Sequence, residues 1–159
     1  MHRVGIGFDA HKFSQGQKLI IGGVEIPFEL GLEGHSDADV LTHAICDALL
    51  GAMGERDIGS HFPNTDSRYK GISSLVLLRE VLTLSYSKGF MVENIDTVVV
   101  CEKPKISAHV SHIKKKLASV IGVPEKSLGI KATTTDGMGF TGRGEGIAAY
   151  AVVLIKTID

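Results

Sequence analysis

The segment from Ser36 to Gly54, SDADVLTHAICDALLGAMG, constrains the fold more than any other part of the 159-residue chain. Its apolar residues recur at spacings of three and four, which place side chains on one face of an α-helix. These residues are Val40, Leu41, Ala44, Ile45, Ala48 and Leu49. Ser36 followed by Asp39 has the form of a capping box, which predicts Ser36 as the N-cap of a helix that ends near Gly54. A helix with so continuous an apolar face needs a second layer to cover it.

Strand patterns on both sides of this helix supply that layer. Residues 2–9 read as a strand, and residues 19–21 and 24–26 flank the Gly22-Gly23 pair as two strands flank the turn of a β-hairpin. The later elements are a long loop at 55–72, helices at about 73–88 and 107–121, and strands at about 92–102, 128–134 and 147–156. The prediction is a single α+β domain over residues 1–159, with helices on one face of a mixed four-stranded sheet and a small β-hairpin beside it.

Composition excludes several classes of protein. The formal net charge is -1, and the only basic run is Lys114 to Lys116, so we expect no nucleic-acid partner. No apolar stretch approaches the roughly 18 residues of a membrane span, and the first residues lack the pattern of a signal peptide, so we expect a cytoplasmic protein without a membrane partner. Cys46 and Cys101 share no CxxC spacing and are expected to be buried free thiols. A zinc site would therefore have to use nitrogen and oxygen ligands.

The stretch GFDAHKF places two such ligands at the end of the first strand. Asp9 and His11 are two residues apart, so in an extended chain they share one face. On the helix, Asp39, His43 and Asp47 form a polar stripe at i, i+4 and i+8. His43 could complete a three-ligand site with one open position, and Asp39 or Asp47 could hold its second ring nitrogen. The alternative is that Asp9 and His11 pair with each other and His43 lies on the helix surface.

A second unusual stretch is KATTTDGMGFTGRGEG, residues 131–146. Its GMGFTG matches the GxGxxG dinucleotide fingerprint, but a β-rich apolar run follows where that motif requires a helix, so we reject this interpretation. The run of three threonines from Thr133 to Thr135, followed by Asp136, Arg143 and five glycines, nevertheless suits the binding of phosphate. A flexible hairpin loop is the alternative.

Taken together, GFDAHKF, HSDADVLTHAICDALLGA, DIGSHFPNTD and KATTTDGMGFTGRGEGIA resemble, in order and over nearly the whole chain, the 2-C-methyl-D-erythritol 2,4-cyclodiphosphate synthases of the non-mevalonate isoprenoid pathway. The resemblance implies a lyase that cyclises 4-diphosphocytidyl-2-C-methyl-D-erythritol 2-phosphate and releases CMP. In that reaction the substrate's 2-phosphate attacks its own β-phosphorus, so no protein nucleophile is needed. The resemblance also implies a homotrimer with active sites between subunits.

The same resemblance implies two metal ions. Asp9, His11 and His43 correspond to the zinc ligands of the family, and the zinc takes a phosphate oxygen in its open position. Asp136 corresponds to the acidic ligand of a second ion, magnesium or manganese, which bridges the α- and β-phosphates.

The resemblance further assigns roles toward the cytidine diphosphate substrate. His35 and Thr134 are implied to steady the transition state. The residues implied to contact substrate on the zinc and methylerythritol side are Asp9, His11, His35, Ser36, Asp57, Ile58, Gly59, Phe62, Pro63, Asn64, Thr65 and Asp66. Those implied on the cytidine and diphosphate side are Cys101, Pro104, Lys105, Ser107, Thr133, Thr134, Thr135, Asp136, Phe140 and Arg143.

Three positions depart from the family pattern. Asn64 stands where FPDTD is expected, Asp136 replaces the commoner glutamate, and Tyr150 stands where some members place a glutamate facing the trimer axis. The Asp136 change shortens the reach toward a metal by one methylene. The Tyr150 change removes a carboxylate that, with Arg143, would contact an isoprenoid diphosphate on that axis.

Two other functions fit parts of the sequence. A zinc phosphohydrolase would use metal-bound water at the Asp9, His11 and His43 cluster and release inorganic phosphate. A nucleotide-sensing trimer without catalytic activity would need only the threonine- and glycine-rich stretch. Turnover of the cytidyl substrate, and the identity of its products, separate these functions from the cyclase.

Overall fold

The computed structural model describes residues 1–159 and contains seven strands and five α-helices. In chain order they are β1 (His2–Ser14), β2 (Leu19–Ile21), β3 (Val24–Ile26), β4 (Gly31–Leu32), α1 (Val40–Met53), α2 (Ile58–His61), α3 (Ser74–Ser87), β5 (Phe90–Val100), α4 (Val110–Ile121), β6 (Leu128–Thr133), α5 (Gly139–Gly142) and β7 (Gly146–Thr157). Short 3-10 segments lie at Ser67–Tyr69, Ile106–His109 and Glu125–Ser127. The α+β class is confirmed. None of the helices combines the length and apolar composition needed to cross a membrane.

The main sheet has five strands, so the predicted count of four is wrong. Its order is β4-β1-β7-β5-β6; β5 and β6 are parallel and the other neighbours are antiparallel. The extra strand is β4, which pairs with Phe13 and Ser14 because β1 continues well beyond the predicted residue 9. The hairpin of β2 and β3 is confirmed, with Ile21 opposite Val24 across the two glycines.

Helices α1, α3 and α4 cover one face of the sheet, and α1 lies directly on β1 and β7. The close contact is possible because Gly5 and Gly7 carry no side chain. A Cβ on Gly7 would lie 1.9 Å from the carbonyl oxygen of Ala44, and one on Gly5 would lie 2.0 Å from that of Ala48. This packing brings the first turn of α1 over the middle of β1, where Asp9 lies.

Helix α1 begins later than predicted, since its N-cap is Asp39 and not Ser36. Ala38 has a left-handed backbone with φ of 56°, which is incompatible with a helix starting at Ser36. The buried Asp39 carboxylate accepts hydrogen bonds from four donors. They are the amides of Gly22 (2.8 Å), Gly23 (2.7 Å) and Thr42 (3.1 Å) and the Thr42 hydroxyl (2.7 Å). One side chain thus caps α1 and fixes the β2–β3 turn against it.

We expect Asp39→Ala to lower the free energy of unfolding by about 3 kcal/mol, because it removes a helix cap and leaves the Gly22 and Gly23 amides without an acceptor. Ser73→Ala is the matched control, since Ser73 caps α3 through the Leu75 amide alone and its loss should cost about 1 kcal/mol. Urea denaturation at one protein concentration measures both. Equal losses for the two variants would show that Asp39 acts only as a cap.

Two predicted loops contain short helices. The loop at 55–72 contains α2 and a 3-10 turn, and the stretch after β6 contains α5. The helix predicted at 107–121 starts as 3-10 and becomes α4 at Val110. Cys46 and Cys101 are buried free thiols, as predicted.

The sheet face opposite the helices is open and apolar where β1 and β7 pair. Its exposed side chains are Val4, Ile6, Phe8, Tyr150 and Val152. Ile6 is opposite Val152 in the register, and Phe8 is opposite Tyr150, with ring centroids 4.9 Å apart. Ile6 is 70% exposed, although it lies in the middle of a strand. A contiguous apolar surface of this kind is typical of an interface.

Candidate metal centre and adjoining cavity

The structure brings Asp9, His11 and His43 together. Asp9 Oδ2 lies 2.8 Å from His11 Nε2 and 3.1 Å from His43 Nδ1. The two ring nitrogens are 3.1 Å apart, so three potential ligand atoms form a small triangle. The alternative in which His43 lies apart on the helix surface is therefore wrong.

Hydrogen bonds to the far side of each imidazole determine where its proton is. His11 Nδ1 lies 2.8 Å from the Glu33 carbonyl, which only accepts, so Nδ1 carries the proton. Ser74 Oγ donates its proton to Asp37 and therefore accepts from His43 Nε2 at 2.7 Å. When both rings are neutral, His11 Nε2 and His43 Nδ1 are the unprotonated nitrogens, and each directs a lone pair toward the Asp9 carboxylate. Three converging lone pairs need a cation between them, and the donor set therefore fits a divalent metal.

The pKa shifts of Asp9 and His11 also indicate that the cluster favours a positive charge between its ligand atoms. Burial would raise the pKa of Asp9, but hydrogen bonds and charges from His11 and His43 outweigh burial and lower the pKa to about 2. Burial would lower the pKa of His11, but the hydrogen bond and charge of Asp9 raise it above its usual value. Asp9 is therefore a carboxylate at neutral pH, as a metal ligand must be.

The predicted orienting residues of His43 are wrong. Asp39 is engaged by the hairpin turn, and Asp47 accepts the Ile58 amide at the start of α2, at 2.8 Å. Ser74 and Asp37 take the orienting role, and Ser74 is fully buried. Sequence reasoning misses both because 31 residues separate Ser74 from His43. The only signal is the polarity of Asp37 and Ser74 near the starts of two apolar helices.

An open cavity of about 280 Å³ adjoins the metal cluster. Several residues predicted to contact substrate line it together with the two histidines of the cluster, namely His35, Ser36, Ile58, Gly59, Phe62 and Asn64. Tyr69 and Leu77 also line it and were not predicted. His35 Nε2 donates to the Asp66 carbonyl at 2.9 Å, which ties the cavity wall to the loop that follows α2. Asp57, Pro63 and Thr65 are exposed in the same segment.

The predicted nucleotide segments lie elsewhere on the same sheet edge. Strands β1, β5 and β6 run in the same direction. Cys101 to Ser107 follow β5, and Thr133 to Asp136 begin at the last residue of β6. Asp9 and His11 lie within β1 but at the level of the carboxyl end of β5, since Asp9 and Val99 both pair with Ala149. However, β1 and β6 are three strand spacings apart, about 14 Å. One chain therefore holds the metal cluster and the threonine-rich segment as two separate half-sites.

The threonine-rich half-site is exposed and internally ordered. Thr134 Oγ1 donates to Asp136 Oδ1 at 3.3 Å, and Thr135 Oγ1 donates to the Met138 carbonyl at 2.6 Å. On the neighbouring segment the Lys103-Pro104 peptide is cis, Cys101 is buried, and Lys105 and Ser107 are exposed.

Phe140 and Arg143, both predicted at the phosphate end of the substrate, lie in different surroundings. Phe140 and His11 line one open cavity of about 550 Å³, together with Lys12 and Glu145. Arg143 is exposed and its guanidinium pairs with Glu145 at 2.9 Å. In the single chain, therefore, Phe140 adjoins the metal cluster, while Arg143 is engaged by a neighbouring carboxylate.

The fold and these two half-sites define a class: an α+β protein with a divalent-metal donor set at the end of a mixed sheet, beside an open cavity. The sequence model of the YgbB family matches residues 2–156. A relative from Caldicellulosiruptor bescii, named 2-C-methyl-D-erythritol 2,4-cyclodiphosphate synthase, is 58% identical over 155 residues, which are 98% of this chain and 99% of the relative. The chain belongs to this family.

Solved structures agree with the sequence comparison. IspF from Plasmodium falciparum, in complex with CDP, has a TM-score of 0.87 and 32% identity, and the match covers 99% of this chain and 97% of that one. The bifunctional IspDF from Campylobacter jejuni has a TM-score of 0.96 and 38% identity, and the match covers 100% of this chain. This chain spans 43% of that bifunctional protein.

Proposed function

We propose that this protein is a 2-C-methyl-D-erythritol 2,4-cyclodiphosphate synthase of the non-mevalonate isoprenoid pathway, a CMP-forming lyase. The substrate is 4-diphosphocytidyl-2-C-methyl-D-erythritol 2-phosphate. An oxygen of its 2-phosphate forms a bond to the β-phosphorus, the bond from that phosphorus to the bridging oxygen breaks, and CMP leaves with the electron pair. The observation that carries this proposal is the convergence of Asp9, His11 and His43 beside a cavity lined by His35 and Ser36.

The residues of the chain act by binding and orienting, because the substrate supplies its own nucleophile. We assign the methylerythritol phosphate to the cavity beside the metal cluster, where the side chains of His35 and Ser36 reach its oxygens. The residues from Asp57 to Asp66 form the remaining wall of this side. Cys101 to Ser107 and Thr133 hold the cytidine, and Thr134, Thr135, Phe140 and Arg143 face the diphosphate. We assign to His35 and Thr134 the role of steadying the charge that develops in the transition state.

We assign zinc to Asp9, His11 and His43, because two imidazoles and a carboxylate with one open position are a ligand set that zinc uses in catalytic sites. When bound, zinc there supplies Lewis-acid stabilisation of a phosphate oxygen. We assign magnesium or manganese to Asp136, since these ions commonly bind through one carboxylate together with substrate phosphates. When bound, that ion supplies neutralising charge at the diphosphate.

The assembly that we propose is a homotrimer in which the metal cluster of one subunit faces the threonine-rich half-site of the next. Two features support it: strands β1 and β6, from which the two half-sites arise, are three strand spacings apart in one chain, about 14 Å, and the open sheet face around Ile6 and Val152 is apolar. A cytoplasmic location, a single domain over residues 1–159 and the absence of nucleic-acid partners stay predictions.

Mass spectrometry of the reaction products tests the activity. Zinc-loaded protein with magnesium and the cytidyl substrate should yield the cyclodiphosphate and CMP in equal amounts. Release of inorganic phosphate would show a phosphohydrolase, and unchanged substrate would favour a nucleotide-binding protein without turnover.

Coexpression of two inactive chains tests the shared site. His43→Ala disables one half-site and Asp136→Asn disables the other, so neither homotrimer is active. In every mixed trimer one of the three interfaces combines two intact half-sites, which is about one interface in four over all randomly assembled trimers, and activity should return there. Each variant expressed alone is the control. No recovery in mixed trimers of confirmed composition, or a fully active monomer by light scattering, would contradict shared sites.

Zinc affinity should depend on the serine that orients His43. Ser74→Ala removes the nearer of the two hydroxyls that face His43 Nε2, the other being that of Ser36 at 3.1 Å, and we expect the zinc dissociation constant to rise about tenfold. Ser73→Ala is the control, because the neighbouring hydroxyl only caps α3. Competition with a chromophoric chelator measures both affinities. An unchanged affinity in Ser74→Ala would mean that the cluster fixes the ring of His43 without Ser74.

A further inference from the structure

The carboxylate of Glu102 holds the backbone of the threonine-rich half-site. Strands β5 and β6 are parallel neighbours that end side by side, with Val100 opposite Thr133, so the segments that follow them emerge together. Glu102 crosses from the first segment to the second. Its Oε1 accepts the amides of Thr135 at 3.0 Å and Gly137 at 3.4 Å.

These two amides flank Asp136, whose backbone needs such support. Asp136 has a left-handed conformation with φ of 52°, and Gly137 follows with φ of 79°. A non-glycine residue seldom adopts that region unless its surroundings hold it there. Glu102 binds the chain immediately before and after Asp136, while the Asp136 side chain itself is exposed.

The same contacts change how the glycine-rich stretch is interpreted. Loop amides next to glycines are the groups that bind phosphate in nest-type sites. In this chain an internal carboxylate already occupies two of them. These two amides are therefore not free for phosphate, and the Thr134 hydroxyl and a divalent ion held by Asp136 are the remaining means of recognition that we consider, both placed on backbone that Glu102 holds.

We propose that Glu102 is a positioning residue, which fixes Asp136 for the divalent ion and the nucleotide diphosphate without contacting either. The inference rests on the proposed function of the half-site. The groups that Glu102 binds are neutral amides, so its role depends on the reach of the side chain and on hydrogen-bond acceptance rather than on charge.

Two variants separate reach from charge. Glu102→Gln keeps the length and an acceptor oxygen but loses the charge, whereas Glu102→Asp keeps the charge but is one methylene shorter. We expect Glu102→Gln to resemble the unmodified protein and Glu102→Asp to bind Mn²⁺ about tenfold more weakly in the presence of CDP. Electron paramagnetic resonance of Mn²⁺ measures this without any turnover. Glu29→Gln and Glu29→Asp, at an exposed carboxylate in the loop after β3, are the matched controls.

Kinetics on the same samples provide the second readout. Glu102→Asp should raise the magnesium concentration for half-maximal turnover about tenfold and lower kcat, with zinc content unchanged. Weak Mn²⁺ binding in Glu102→Gln, or normal binding in Glu102→Asp, would overturn the proposal. If the unmodified protein binds Mn²⁺ and CDP but does not convert the substrate, the proposed function fails while the role of Glu102 in the loop is still measured.

Discussion

Replacing His43 with alanine is expected to remove most of the zinc and to lower turnover about a hundredfold or more. The reason is geometric: His43 Nδ1 is one corner of the triangle of ligand atoms, and no other nitrogen or carboxylate joins the Asp9 and His11 cluster. Two remaining ligands would leave zinc mostly solvated and weakly held. Elemental analysis and product formation on the same samples measure both effects.

His112→Ala is the control for this experiment, since His112 is an exposed histidine on α4. It should retain one zinc per chain and normal turnover. Circular dichroism is needed to check that His43→Ala remains folded, because the histidine lies in a buried first turn of α1. Full zinc occupancy in His43→Ala would contradict the assignment of the metal site to these three ligand atoms.

The parts of the fold that were predicted correctly are those with a local cause. Apolar periodicity located α1, and the Gly22-Gly23 turn located the hairpin, because both patterns lie within one segment. Strand β4 was missed because two residues carry no periodicity and pair only with Phe13 and Ser14, which are distant in sequence. The N-cap was misassigned because Ser36 and Asp39 both offer a capping oxygen. The left-handed Ala38 decides between them, and the sequence does not reveal it.

The metal site likewise has a part that local sequence predicts and a part that only the tertiary structure shows. Asp9 and His11 share a strand face and His43 lies one turn into a helix, so spacing alone identified the candidates. Their convergence depends on the absence of side chains at Gly5 and Gly7, which lets α1 approach β1. The partners of the imidazoles, Glu33 and Ser74, come from other elements, and only the tertiary structure assigns them.

Asp136→Asn tests the second metal site with little disturbance of the backbone. Asparagine tolerates the left-handed conformation of Asp136 well, and its side-chain oxygen can still accept from Thr134 Oγ1. The substitution therefore removes the negative charge and leaves the loop in place. Any loss of activity can then be attributed to the missing carboxylate.

We expect Asp136→Asn to lower turnover by about two to three orders of magnitude, because the charge that holds the divalent ion at the diphosphate is lost. Zinc content should not change, since Asp136 is not part of the ligand group of Asp9, His11 and His43. Asp136→Glu is the control: it keeps the charge, gains one methylene of reach and matches the commoner residue of the family, so it should stay active. Steady-state kinetics against magnesium concentration, with zinc measured on the same samples, make the comparison. Near-normal turnover and an unchanged magnesium dependence in Asp136→Asn would show that the second ion is held by other groups.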